Sequence, residues 1–81
     1  MSYYAYVIFS ESADRFYKGH CENLPKRLAA HNQGKTQSIK AFIPWTLIYY
    51  EEFSSRKEAI IIEKYFKTAA GRRYLKKVIK L

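Results

Sequence analysis

Eighty-one residues leave room for one hydrophobic core, so a single domain over 1–81 is expected. A hydrophobic share of 48% with 17% aromatics excludes a disordered chain, and one cysteine, Cys21, excludes a disulfide framework or a cysteine-based zinc knuckle. Fifteen Lys and Arg against seven Asp and Glu give a net charge of +8, which makes polyanions the first partner class, nucleic acid before anionic membrane. No apolar run nears the roughly 18 residues of a membrane span. Met1-Ser2-Tyr3-Tyr4 is not a basic segment followed by a hydrophobic one, so a cytoplasmic protein with no membrane role is expected.

Tyr3 to Phe9 is a run of β-branched and aromatic residues and predicts a strand. Ser10 to Asp14 is polar and turn-like, and Arg15 to Gly19 predicts a second strand, paired with the first as an antiparallel hairpin. Asn23 offers an N-cap, with Pro25 tolerated in the first turn of a helix running to about His31. Asn32-Gln33-Gly34 supplies the stop, Gly34 being free to take the left-handed conformation. Lys35 to Pro44 is a polar, basic connection.

Trp45 to Phe53 is the clearest strand, centred on Leu47, Ile48, Tyr49 and Tyr50. Ser55 and Glu58 form a capping-box pattern for a second helix, with Ala59, Ile62 and Phe66 at helical spacing and Ile61 and Tyr65 widening the stripe. Gly71, or the residues just before it, is expected to break that helix. Tyr74, Leu75, Val78 and Ile79 then make the apolar side of a last one. The order β-β-α-β-α-α predicts an α+β domain: a small three-stranded antiparallel sheet flanked by helices.

Several enzyme classes fall away on inventory. Two histidines and one aspartate cannot make a His-rich zinc site, and no H-E-x-x-H helix exists. Three glycines at 19, 34 and 71 cannot build a Walker or Rossmann loop. The one adjacent acid pair, Glu51-Glu52, lies in a predicted strand, where neighbours point to opposite faces. A one-metal site built on a single glutamate stays open.

The paired tripeptides Tyr4-Ala5-Tyr6 and Tyr17-Lys18-Gly19, with ten residues between Tyr6 and Tyr17, resemble those of the GIY-YIG nuclease superfamily. Arg27 lies ten positions after Tyr17, His31 one helical turn later, and Glu58 at the start of the helix after the third strand. The set Ala30-His31-Asn32, Ile43-Pro44-Trp45, Tyr50-Glu51-Glu52-Phe53 and Glu58-Ala59 resembles more narrowly the small stand-alone bacterial UPF0213 group. The resemblance covers roughly Tyr3 to Leu81. It implies a metal-dependent endonuclease that hydrolyses DNA phosphodiesters, with Tyr6, Tyr17, Arg27, His31 and Glu58 as its site.

Those residue types suit that chemistry. The Arg27 guanidinium is a fixed fork for a phosphate oxygen. Glu58 would hold one Mg²⁺ or Mn²⁺, hard cations that keep most of their waters. Tyr6, Tyr17 or His31 would orient or deprotonate the attacking water, and which of the tyrosines is the base stays open. A tyrosine needs a neighbouring positive charge for this, because its free pKa is about 10. Taken singly, each has a plainer reading: strand packing for the tyrosines, a solvated helix residue for Arg27, a helix-dipole partner for His31 and a capping glutamate for Glu58. Their joint spacing is what favours a site. His20 stands where some relatives carry a lysine and is a peripheral candidate. Trp45 is expected in the core, and Cys21 to be a small buried hydrophobe.

From Lys64 onward seven cations and no acid follow. Lys67, Arg72, Arg73 and Lys76, extended by Lys35 and Lys40, are expected to bind nucleic acid along its phosphates. So small a chain has no separate recognition domain, so selectivity is expected from DNA shape, a protein partner or self-association. The alternative is an inactive basic nucleic-acid-binding module of the same fold. Tyr4 and Ala5 in place of the motif's Gly and Ile, and the lack of any asparagine after position 32, motivate it.

Overall fold

The computed structural model describes residues 1–80. Its elements are β1 (Tyr3–Ser10), β2 (Arg15–Cys21), α1 (Leu24–Asn32), a 3-10 helix (Gln37–Phe42), β3 (Thr46–Phe53), α2 (Arg56–Phe66) and α3 (Ala69–Ile79). The predicted β-β-α-β-α-α order is observed, with the 3-10 helix inside the polar, basic connection expected over Lys35 to Pro44. The three strands form one antiparallel sheet in the order β2-β1-β3. β1 is central, and its middle residues Ala5, Tyr6, Val7 and Ile8 are all buried.

Strand alternation divides the molecule into two cores. Tyr6 and Ile8 pack with Cys21, Ile39 and Trp45 beneath α1 and the 3-10 helix. Ala5 and Val7 face the other way, onto Phe66 of α2 and Leu75 of α3. The sheet is therefore covered on both sides, which accounts for the near-continuous apolar run in β1. Trp45 and Cys21 occupy the first core, as their composition suggested.

The caps hold where sequence placed them. Asn23 accepts from the Lys26 amide at 3.0 Å, and Ser55 accepts from the Glu58 amide at 3.2 Å. Asp14 turns the hairpin at φ 51° and Gly34 ends α1 at φ 77°. Ile60, Ile61 and Ile62 are helical despite their branching. Ile62 packs in the second core, whereas Ile61 and Tyr65 are exposed and do not widen the apolar stripe.

Gly71 has another role than helix breaking. The chain breaks at Lys67–Thr68, where the Thr68 hydroxyl accepts from the Gly71 amide at 3.0 Å and caps α3. Gly71 lies in the first turn of α3, and a Cβ there would stand 1.8 Å from the Tyr65 carbonyl oxygen. Only a glycine lets α3 fold back this closely on the end of α2.

Candidate active site at the edge of the sheet

β2 is an edge strand, and its glycine decides what can lie across it. Tyr6 of β1 pairs with Gly19 of β2. With no side chain in the way, the Tyr6 ring extends over that strand; a Cβ on Gly19 would be 2.5 Å from its hydroxyl oxygen. There the hydroxyl shares a 2.8 Å hydrogen bond with Nε2 of His31, presented by α1. The His31 Nδ1 is in turn 2.9 Å from the Thr36 hydroxyl. Both rings are buried, at 2% and 1% exposure, and both have their polar atoms satisfied.

The environment sets the ionisation of this pair. Burial, and then the charge of Arg27, hold the His31 imidazole below its ordinary pKa, so it is neutral at pH 7. Burial, helped by Tyr17, pushes the Tyr6 phenol well above the usual tyrosine range, against the opposing pull of Arg27. We assign the Tyr6 hydroxyl as donor to Nε2, with the Nδ1 proton turned to Thr36. Tyr17, half-buried, closes the cluster; its ring centroid is 5.3 Å from that of His31 and 6.5 Å from that of Tyr6. Arg27 stands one turn before His31 on α1, exposed, and its charge reaches the Tyr6 hydroxyl.

A second group of side chains reaches this edge from the other side of the sheet. His20 follows Gly19 and points toward α2, where its Nδ1 is 2.6 Å from Oε1 of Glu63. Lys67, one turn further along α2, donates to Oε2 of Glu63 at 2.9 Å. Burial pushes the Glu63 carboxyl up, but the bonds and charges of His20 and Lys67 outweigh it and leave the pKa lowered. Glu63 is thus a half-buried, ionised carboxylate whose charge acts on the Tyr6 hydroxyl. Arg56, at the start of α2, pairs with Glu22 just beyond β2, tying the helix to the same edge.

The fold thus brings together Tyr6, Tyr17, His31 and Arg27 from the expected set, with His20 close by. It does not bring Glu58 to them. Glu58 is exposed in the first turn of α2, its Oε1 accepting from Ser54 at 3.1 Å and Ser55 at 3.0 Å. Glu63 lies five residues on, about 140° round the helix, so the two glutamates flank the buried face of Ala59 and Phe66 on opposite sides. Only the Glu63 flank faces β2. The missed residue left one trace in the sequence: Glu63 follows Ala59 by four positions and sits beside the apolar stripe.

The bonds made by Asn32 and Thr36 went unforeseen as well. Asn32 accepts from the Trp45 amide at 2.6 Å and donates to the Trp45 carbonyl at 3.0 Å, clamping the end of α1 to the start of β3. The expected basic track is also divided. Lys35 and Lys40 accompany the 3-10 helix on the α1 side of the sheet, whereas Arg72, Arg73 and Lys76 belong to α3 on the other.

Comparison with known proteins places the fold in a family. The model of the GIY-YIG catalytic domain matches residues 2–76, and the chain belongs to that family. Within it the chain is of the UPF0213 type. It is 42% identical over 65 residues to a UPF0213 protein of Streptococcus pyogenes strain Manfredo, covering 78% of this chain and 71% of the relative. A UPF0213 protein of S. pyogenes strain MGAS315 is 40% identical over the same extent, 65 residues, 78% and 71%. The solution NMR structure of a UPF0213 protein from Bacillus halodurans shares the fold, with a TM-score of 0.56 and 24% identity over 96% of this chain and 83% of that one. The family is one of nuclease domains acting on nucleic acid.

Proposed function

We propose that the chain is a metal-dependent endonuclease hydrolysing DNA phosphodiesters at the β2 edge. The observation that carries this reading is the ionised Glu63 carboxylate beside the Tyr6–His31 pair. Among the described residues no cluster of three metal-ligating side chains exists. A divalent ion would therefore be held by Glu63 alone, together with waters and substrate oxygens, a donor set that suits Mg²⁺ or Mn²⁺. Glu63 would have to exchange its bond to Lys67 for the ion. The chemistry such an ion would supply is Lewis-acid neutralisation of charge on the phosphate.

The chain's own residues supply the rest. The Arg27 guanidinium binds a phosphate oxygen and meets the charge that builds there in the transition state. The attacking water gives its proton to the Tyr6 oxygen while Tyr6 passes its own to the neutral Nε2 of His31. The hydroxide adds to phosphorus, the P–O bond to the leaving oxygen breaks, and the imidazolium proton is returned to solvent or leaving group. Thr36 fixes the tautomer this relay needs. Tyr17 packs against the imidazole and holds its plane.

The test is cleavage of supercoiled, branched, flapped and single-stranded DNA with and without Mg²⁺ or Mn²⁺, by wild type, Glu63→Gln and Glu58→Gln purified in parallel. Metal-dependent cutting by wild type and Glu58→Gln, with none by Glu63→Gln, is expected. Equal cutting by all three would mark a contaminant and remove the assignment. A second reading, a binding module without turnover, is favoured by the engagement of both Glu63 oxygens by His20 and Lys67. It predicts intact DNA binding and no cutting by any of the three.

A further inference from the structure

A cavity of about 330 Å³ opens between β2 and α3, on the side of the sheet away from Tyr6. Its floor is apolar, made by Val7, Leu75 and Ile79, with the Phe16 ring at its edge. Phe16 is 40% exposed, a high value for a phenylalanine in a paired strand. The rim is cationic: Lys18 from β2, Arg72 and Lys76 from α3.

The charge arrangement calls for an anion. Arg72 and Lys76 are four apart on one helix, a spacing at which like charges repel. Lys18 faces them across the opening. Burial, and then the charges of Arg72 and Lys67, hold its amine below the ordinary lysine pKa. Among the described residues, no carboxylate pairs with any of these three rim cations. The cavity stands at the small end of ligand-binding pockets, about 300–1,000 Å³. An apolar, aromatic-edged floor under unneutralised cations fits a planar heterocycle carrying a phosphate.

We propose that this cavity receives one unpaired nucleotide of a DNA strand, its base against Phe16 and the apolar floor and its phosphate on Lys18, Arg72 and Lys76. Lys18 lies between Tyr17 and Gly19 in β2, so the pocket adjoins the Tyr6–Glu63 edge within the same strand. It follows that strands with splayed or unpaired bases bind better than continuous duplex. The inference deepens the nuclease reading but does not need turnover.

The experiment measures binding without metal, in EDTA, so that cleavage plays no part. Fluorescent oligothymidylate of roughly 12 nucleotides, long enough to span one small domain, is compared with an abasic strand of equal length. Wild type should bind the base-bearing strand about five-fold or more tightly, the worth of stacking one base. Ile79→Trp, which fills the cavity and leaves every cation, should abolish that preference while abasic binding stays unchanged. Lys76→Glu, at an exposed rim position, should weaken both strands, and serves if Ile79→Trp does not fold. Equal wild-type affinity for the two strands overturns the pocket and leaves only a phosphate track, with the nuclease reading intact. Free thymidine monophosphate competing as well as the strand also overturns it. No binding of either strand would instead strike at the nucleic-acid reading itself.

Discussion

The Tyr6 hydroxyl lies over Gly19 so closely that a Cβ on the glycine would stand 2.5 Å from it and 2.7 Å from the ring carbon that bears it. The glycine is thus a steric condition for the Tyr6–His31 bond. Gly19→Ala should force the buried ring to tilt, at a cost of about 1–3 kcal/mol. It should also break the 2.8 Å contact to Nε2. Denaturant unfolding reads the first effect, and the His31 ring nitrogen shifts in NMR read the second. Unchanged His31 shifts in the folded variant would show that Tyr6 is not held by this approach.

Folding keeps His31 neutral, which makes stability depend on pH. Its folded-state pKa is lowered by burial and by Arg27, below its ordinary 6.5. Between the two values the unfolded chain binds the extra proton, so stability rises with pH across that window. The contribution is fully present above the ordinary pKa and is lost as pH falls through it toward the folded-state value. Urea midpoints from pH 8 down to 5 should fall for wild type. His31→Gln should flatten the part of that fall due to this residue, whereas a flat wild-type profile would contradict the assignment.

The two bonds of His31, to Tyr6 and Thr36, show how much of the candidate site could be read from the chain alone. That Tyr6, Tyr17, Arg27 and His31 come together was legible because hairpin register and one helical turn are local, and local spacing maps directly onto geometry. Glu58 lies apart from this cluster and serves the cap of α2; a capping box and a metal carboxylate look alike in sequence. Which flank of α2 faces β2 depends on how the helix packs over the sheet, and that is tertiary information. Thr36 and Asn32 bond to His31 and Trp45 through loops whose path no periodicity records. The fold itself was legible: β1 is apolar on both faces, the signature of a central strand covered on both sides.

Gly71 is the position where a single methyl should do most harm. The Tyr65 carbonyl is 1.8 Å from the site of a Cβ, and a backbone atom cannot swing aside as a side-chain tip can. Gly71→Ala should cost at least about 3 kcal/mol, the upper end for overpacking. At about 4–8 °C per kcal/mol the melting temperature should fall by more than about 12 °C. By contrast Ser55→Ala, which removes the cap of α2, should cost about 1 kcal/mol. A Gly71→Ala protein as stable as Ser55→Ala would mean that α2 and α3 are not packed this tightly.

The separation of the basic residues by the sheet makes a prediction about salt. Each phosphate neutralised contributes about −0.9 to the slope of log K against log salt, so four contacts give roughly −3.6. Lys35 and Lys40 stand on the α1 side, and Arg72, Arg73 and Lys76 on the α3 side, of a molecule 29 × 29 × 18 Å. One straight duplex has little reach to both. The cavity at β2 and the acid-free α3 favour the second group as the one that carries the backbone. Arg72→Ala and Lys76→Ala should each make the slope shallower by about 0.9 and weaken binding, with little dependence on sequence. Lys35→Ala and Lys40→Ala together should leave the slope unchanged. If the loop pair reduces it as much as the helix pair, the duplex wraps the β2 edge and touches both sides of the sheet.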